Sequence, residues 1–412
     1  MTIEAAWAIV FNIVNSNSLH QRKGIISMSS SKSALIPYVL FAFVLGFAWF
    51  MLAPMVPSLT NELHASLSSI LLFISFYGYA MVIGSIPAGL WTAHKGPRPV
   101  LTCAVVLSVV GLFLRIFAHT YAFFFVAQAI ASLAYPFLIA PIGSILRMSN
   151  IRNLKMSTGF TIGMLFFGMG LSAIIASHFT MTTGLWLGFI LNLIVGIWLL
   201  VALRGIPRPD VTTFVRLRMT YSNWWIIGLV VSSTSVMIGG VTTSALGHLQ
   251  MPNAVALGGL LSGLTFLGSA VGAALFGFLG EAITNAGPLI RILSILTLVS
   301  VLLVTLLVTG HLGHSEGMFD IMFFLAGMFG NGWYTLTLEE AARRAADNGS
   351  AGLNTAGYSM ASNLGVAIIP VVLGPLVISQ PSLWIAITLV LFVVAVVLSL
   401  VTRVQTRLTT GS

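Results

Sequence analysis

Three stretches of this chain, Met156 to Leu203, Met219 to Gly280 and Asn348 to Thr402, contain no Asp, Glu, Lys or Arg. A bilayer-crossing helix needs about 20 mainly apolar residues, because roughly 30 Å of hydrocarbon is covered at about 1.5 Å per residue. Each stretch is long enough for two such helices, and each is broken near its middle by turn chemistry, at Thr180 to Gly184, at His248 to Asn253 and at Ser379 to Ser382. Adding the apolar runs bounded by charges gives twelve expected spans, near residues 34–56, 68–91, 98–117, 121–146, 157–178, 183–203, 224–248, 255–280, 289–310, 318–339, 352–378 and 382–403. The chain therefore reads as an all-α integral membrane protein. Its composition agrees, with 7% charged and 58% hydrophobic residues, whereas soluble domains carry roughly 25% charge.

The basic residues test this count independently, since Lys and Arg collect in cytoplasmic loops. With twelve spans, all 18 Lys and Arg except Arg115 fall on one side, from Arg22, Lys23 and Lys32 through Lys95 and Arg98 to Arg403 and Arg407. One span missed or added in the middle would move every later loop to the other side. Both termini are thus expected in the cytoplasm, in a plasma (bacterial inner) membrane. The formal net charge of +9 comes from residues spread singly along the chain, which form no phosphate-tracking patch, so no nucleic-acid partner is expected. Lipid is the expected surrounding partner, and the monomer the expected state. Cys103 is the single cysteine and lies in an apolar run, so it offers neither an intrachain disulfide nor a thiol metal site. Residues 1–33 read as a cytoplasmic extension in which Ile3, Trp7, Val10 and Val14 recur at helical spacing, as in an interfacial helix. No basic segment precedes that run, as a signal peptide would require, and Met28 is an alternative start.

An internal repeat divides the spans. Gly89 to Arg98, after span two, and Gly277 to Pro288, after span eight, share a Gly-rich pattern six spans apart. This implies two six-helix halves, residues 34–203 and 224–403, joined by a cytoplasmic linker, 204–223, and followed by a tail, 404–412. Parallel half-repeats of this kind place a site near the midplane between the halves.

From about residue 34 onward the chain resembles the major facilitator superfamily. The signature pattern Gly-x-Leu-x-Asp-x-x-Gly-Arg-Arg/Lys is matched in spacing by Gly89, Gly96 and Arg98. Ala93 stands at the usual Asp position and Trp91 at the usual Leu. The second copy keeps an acid, Glu281, before Gly287, and Gln128 occupies the stretch of span four where the family often carries Arg. The segment Tyr135 to Pro141 faintly resembles cyanate-permease-like members. The resemblance implies twelve transmembrane helices in two pseudo-symmetric bundles, with helices one, four, seven and ten lining the path. An acid near a helix N-terminus is stabilised by roughly 0.3–1 kcal/mol. Glu281 is therefore expected to latch against the start of span five, while Ala93 leaves the matching latch on span eleven unmade.

An ionisable group at the bilayer centre usually marks substrate or proton handling, and none is clearly central here. Arg115 and Asp320 sit near outer ends and Glu339 and Glu340 near an inner end, where long side chains are expected to snorkel to water. Neutral polar groups at helical spacing remain as candidate ligands: Gln128, Ser132 and Tyr135 on span four, Asn331, Tyr334 and Thr335 on span ten, and Asn354, Tyr358 and Ser362 on span eleven. Span seven adds Ser232 and Ser235 before Gly239 and Gly240, and Trp49 with Phe50 can close span one over the path. Such groups also join membrane helices to one another by hydrogen bonds. The Gly159/Gly163 and Gly168/Gly170 pairs read as close packing. His311 and His314 fall short of the three or four ligands of a zinc site, so no metal or cofactor is expected.

A secondary transporter for a small organic solute is the leading expectation, with a coupling proton or ion as an open partner. No phosphate-binding Gly-rich loop with Lys points to ATP, and no nucleophile and base, or metal cluster, points to an intramembrane enzyme. Efflux of hydrophobic compounds, and a transport-dead receptor or assembly protein on the same scaffold, are the alternatives.

Overall fold

The computed structural model describes residues 34–53, 55–148, 154–206, 223–232, 245–246, 249–251, 253–283, 285–313, 315–344, 348–373 and 376–404. The N-terminal extension and most of the linker lie outside these, as do Ser235, Gly239, Gly240 and His314. Among the described residues the chain is helical throughout, without strands. Among the described residues nine helices are long and apolar enough to cross a membrane. Span one is shorter, Leu35–Phe50, span seven is described over residues 224–232, and span eleven runs Asn348–Leu373.

Helix ends follow local chemistry. Spans two, four and six start after Ser66, Thr120 and Thr180, whose hydroxyls accept from the backbone N–H groups of Ser69, Phe123 and Thr183 at 3.2, 3.3 and 3.2 Å. Spans three, nine and twelve instead place Pro97, Pro288 and Pro381 in their first turn, where no backbone N–H is needed. Span two continues through Gly89 to Lys95, and Gly96 alone, at φ 77°, turns the chain into span three. The repeat's first residues therefore belong to helix rather than loop, and so do Gly277 and Glu281, inside span eight at Ala254–Ala282.

Span four departs from its expected continuity. It is divided into Tyr121–Ser132, Ala134–Ile139 and Ile142–Met148. Pro136 and Pro141 each remove a donor and crowd the carbonyl four residues earlier, which interrupts the helix near Leu133 and again near Ala140.

Large apolar side chains face outward, among them Ile83 at 72% and Val401 at 65% exposure, as lipid contact demands. In lipid the helices gain little from burying apolar surface, so close backbone approach and interhelical hydrogen bonds hold them. Asn192 illustrates the second: its amide donates to Val44 O and Gly188 O, both at 2.9 Å, and accepts from the Ser108 hydroxyl at 2.9 Å, joining spans one, three and six. Glycines supply the first. Span five packs along span eight, and span two along span eleven, and these two seams join the halves. Gly159 and Gly163 lie directly on span eight, and Gly168 on the Phe43 carbonyl of span one, as the packing reading of those pairs requires.

Candidate functional site

Mid-depth rings from both halves converge. Trp49 stacks on Tyr77 with centroids 4.3 Å apart and planes 13° from parallel, and Tyr135 lies 5.1 Å from Trp49. The indole N–H of Trp49 donates to Ile74 O at 2.8 Å, which fixes the ring from span two. The break in span four turns Tyr135 into this cluster. Across the seam Tyr135 and Tyr334 of span ten belong to the same buried cluster, and the Tyr334 ring is 5.4 Å from that of Tyr358 on span eleven. The Tyr358 and Thr337 hydroxyls hydrogen-bond at 2.6 Å, and the Tyr334 hydroxyl faces Ser359 and Ser362. Tyr358 also rests on Gly228 of span seven, where a Cβ would come 2.7 Å from its ring. Phe50 meets Phe266 of span eight edge-on at 4.4 Å, and Phe166 of span five stacks over the same ring at 6.1 Å, both contacts between the halves.

The remaining candidates lie on spans four, seven, ten and eleven. Gln128 is fully buried and donates to Phe73 O at 2.6 Å, while its carbonyl oxygen finds no donor. Thr335 is buried with its hydroxyl unpaired. Ser132 donates to Ala129 O in its own helix at 2.8 Å, and Ser232 donates to Ser362 O across spans seven and eleven. Asn331 and Asn354 are buried. Ser235 lies outside the described residues. Tyr77, absent from the sequence candidates, stands at the centre of the cluster; its position midway along an apolar span was the available signal.

At the basic end the structure changes the reading of two acids. Glu339 and Glu340 do not snorkel: they are 8% and 0% exposed. Arg343 approaches both, with Nη1 3.4 Å from Glu340 Oε1 and Nε 4.0 Å from Glu339 Oε1. Burial of Glu339 follows from the small cavity, about 30 Å³, that it and Arg343 share with Gly143 of span four, Thr158 of span five and Thr355 of span eleven. Both halves line this space. Beside it, a Cβ on Gly159 would fall 3.1 Å from Gly277 Cα. Glu281, one turn beyond Gly277 on the same helix face, is half-buried. Gly89, Gly96 and Gly287 are buried and Arg98 is partly exposed in the first turn of span three. At the opposite end Arg115 also fails to snorkel, being 2% exposed.

The fold has clear relatives. No curated protein matches the sequence. A bacterial homologue of the iron transporter ferroportin, in an outward-facing state, superposes with a TM-score of 0.69 at 16% identity, covering 90% of this chain and 98% of that one. The human organic anion transporter MFSD10 (TETRAN) gives 0.68 at 12% identity, covering 90% and 99%. At these identities the likeness speaks for the fold. The family model of the Major Facilitator Superfamily matches residues 38–370, so this multi-pass membrane protein of two six-helix bundles belongs to the Major Facilitator Superfamily of transporters.

Proposed function

We propose that the chain carries a small, neutral or weakly anionic organic solute across the plasma membrane by alternating access, without a chemical step on it. The halves, 34–203 and 224–403, rock about the seams that join them, with the 204–223 linker and both termini in the cytoplasm. The observation that carries this is the mid-depth layer contributed by both halves, Trp49, Tyr77 and Tyr135 facing Tyr334 and Tyr358. Its hydroxyls and the unpaired oxygens of Gln128 and Thr335 offer hydrogen bonds, and its rings offer apolar faces. A solute wedged there separates the ring contacts and exchanges them for its own. Asn331, Asn354, Ser132 and Ser232 line or brace the same layer. Glu339, Glu340 and Glu281 hold the cytoplasmic side shut.

The wealth of rings favours efflux of hydrophobic compounds as a second reading. Purified protein in liposomes, supplied with labelled solutes and an imposed pH gradient, separates the two by the direction of accumulation. Accumulation that collapses with the gradient supports coupled transport. A complete lack of flux for neutral, anionic and hydrophobic probes alike overturns both readings and favours a receptor.

A further inference from the structure

At the end away from the acidic cluster, a cavity of about 230 Å³ opens within the N-terminal half, and Arg115 forms part of its wall. Arg115 is 2% exposed, and its Nε finds no acceptor. Its contacts are neutral: Nη1 donates to Ala48 O at 3.4 Å, and the guanidinium lies 5.6 Å from the centroid of the Phe124 ring. Among the described residues the ion pairs are those of Arg343 with Glu339 and Glu340, so no carboxylate contacts Arg115. A buried guanidinium without an anion is costly unless something neutralises it, and its planar fork matches the oxygens of a carboxylate or a phosphate.

The rest of the cavity narrows the ligand. Leu63, Ile116 and Met181 give the wall an apolar patch beside Thr182, while Glu62 and His119 stand exposed at its rim. The volume falls below the range of about 300–1,000 Å³ used by drug-sized ligands. A rim carboxylate repels a second negative charge. The geometry points to a binding site for a small apolar monocarboxylate, its carboxylate on Arg115 and its apolar body against Leu63, Ile116 and Met181. The site is set within one half, apart from the layer between halves. It goes beyond the transport reading, and its test is a binding measurement that stands whatever the flux assay returns.

Full-length protein in lipid nanodiscs is titrated with labelled benzoate and with benzamide, its neutral isostere. Benzoate is expected to bind saturably, and benzamide at least ~10-fold more weakly. Arg115→Gln is expected to abolish the preference, Arg115→Lys to retain it at reduced affinity, and Glu62→Gln to tighten benzoate by ~2-fold and admit the dianion phthalate. Equal binding of benzoate and benzamide overturns the site. So does unaltered benzoate binding in an Arg115→Gln protein with a wild-type unfolding midpoint, or no saturable binding up to about 10 mM. Should Arg115→Gln fail to fold, Glu62→Gln decides, because its effect on phthalate requires no change at the arginine. Benzoate bound but never carried leaves this site standing and counts against transport of that solute alone.

Discussion

The two seams that join the halves are built differently. Where span five meets span eight, backbone meets backbone: a Cβ on Gly159 would lie 2.2 Å from Ala273 O, and one on Gly163 2.8 Å from Ala270 O. Where spans two and four meet span eleven, side chains intervene. A Cβ on Gly78 would stand 3.6 Å from Val366 Cγ1 and one on Gly143 3.8 Å from Thr355 Oγ1, both ordinary contacts. Ala88, Ala140 and Ala356 form a small cluster there. The first seam has no slack, whereas the second can shift by moving side chains. Its neighbour at the basic end is the Glu339, Glu340 and Arg343 cluster, held against spans four and five of the other half. The proposed rocking of the halves thus has a stiff line and a yielding one, with charge placed beside the yielding one.

The comparison can be broken most sharply at Gly159. Gly159→Leu forces a backbone carbonyl to move, and overpacking of this kind costs about 1–3 kcal/mol or more. A fall of several degrees in the unfolding midpoint of the purified protein is expected, together with loss of flux; an unchanged midpoint means the seam is not closed as described. Next comes Glu340→Gln. Removing one partner of a buried pair costs about 3–5 kcal/mol, discounted here to about 1–2 kcal/mol because Arg343 is 22% exposed and keeps Glu339. Accessibility of a cysteine at Gly143 to an impermeant reagent is expected to rise in that variant, and no rise removes the cluster from the gate.

Glu281→Gln tests the latch at the start of span five. Its stabilisation of roughly 0.3–1 kcal/mol translates into a change in transport rate of about 2- to 5-fold, measured as initial flux in liposomes; an unaltered rate leaves Glu281 a solvated charge. The smallest effect belongs to the yielding seam. Gly78→Ala meets open contact and gains helix propensity of up to about 1 kcal/mol, so the unfolding midpoint is expected to hold or rise slightly. A clear fall would make the two seams alike.

Particular residues show how far the sequence reached. Helical spacing singles out Tyr135, Tyr334 and Tyr358, and Trp49 stands out as a ring near the end of span one; the structure sets Trp49 against Tyr135 and Tyr334 against Tyr358. Tyr77 was missed because a lone aromatic within an apolar span looks the same whether it faces lipid or a site. Pro136 and Pro141 were visible, but whether a proline bends or divides a membrane helix depends on neighbours that can satisfy the freed carbonyls. Arg115, Glu339 and Glu340 were expected to reach water because each lies near a helix end; each instead turns inward, since neighbouring helices cover that end.

What the sequence determined by itself is the solvent and the count. Charge-free stretches of a fixed minimum length, and basic residues confined to alternate loops, follow from the cost of placing polar groups in hydrocarbon, which acts on every residue regardless of its partners. Which face of each rod meets another was decided only in three dimensions. In lipid an apolar face gains as much from a fatty-acyl chain as from a second helix. Apolar residues therefore serve on either face, and close backbone fit, as at Gly159 against Ala273, together with buried polar groups such as Asn192 marks the inward one.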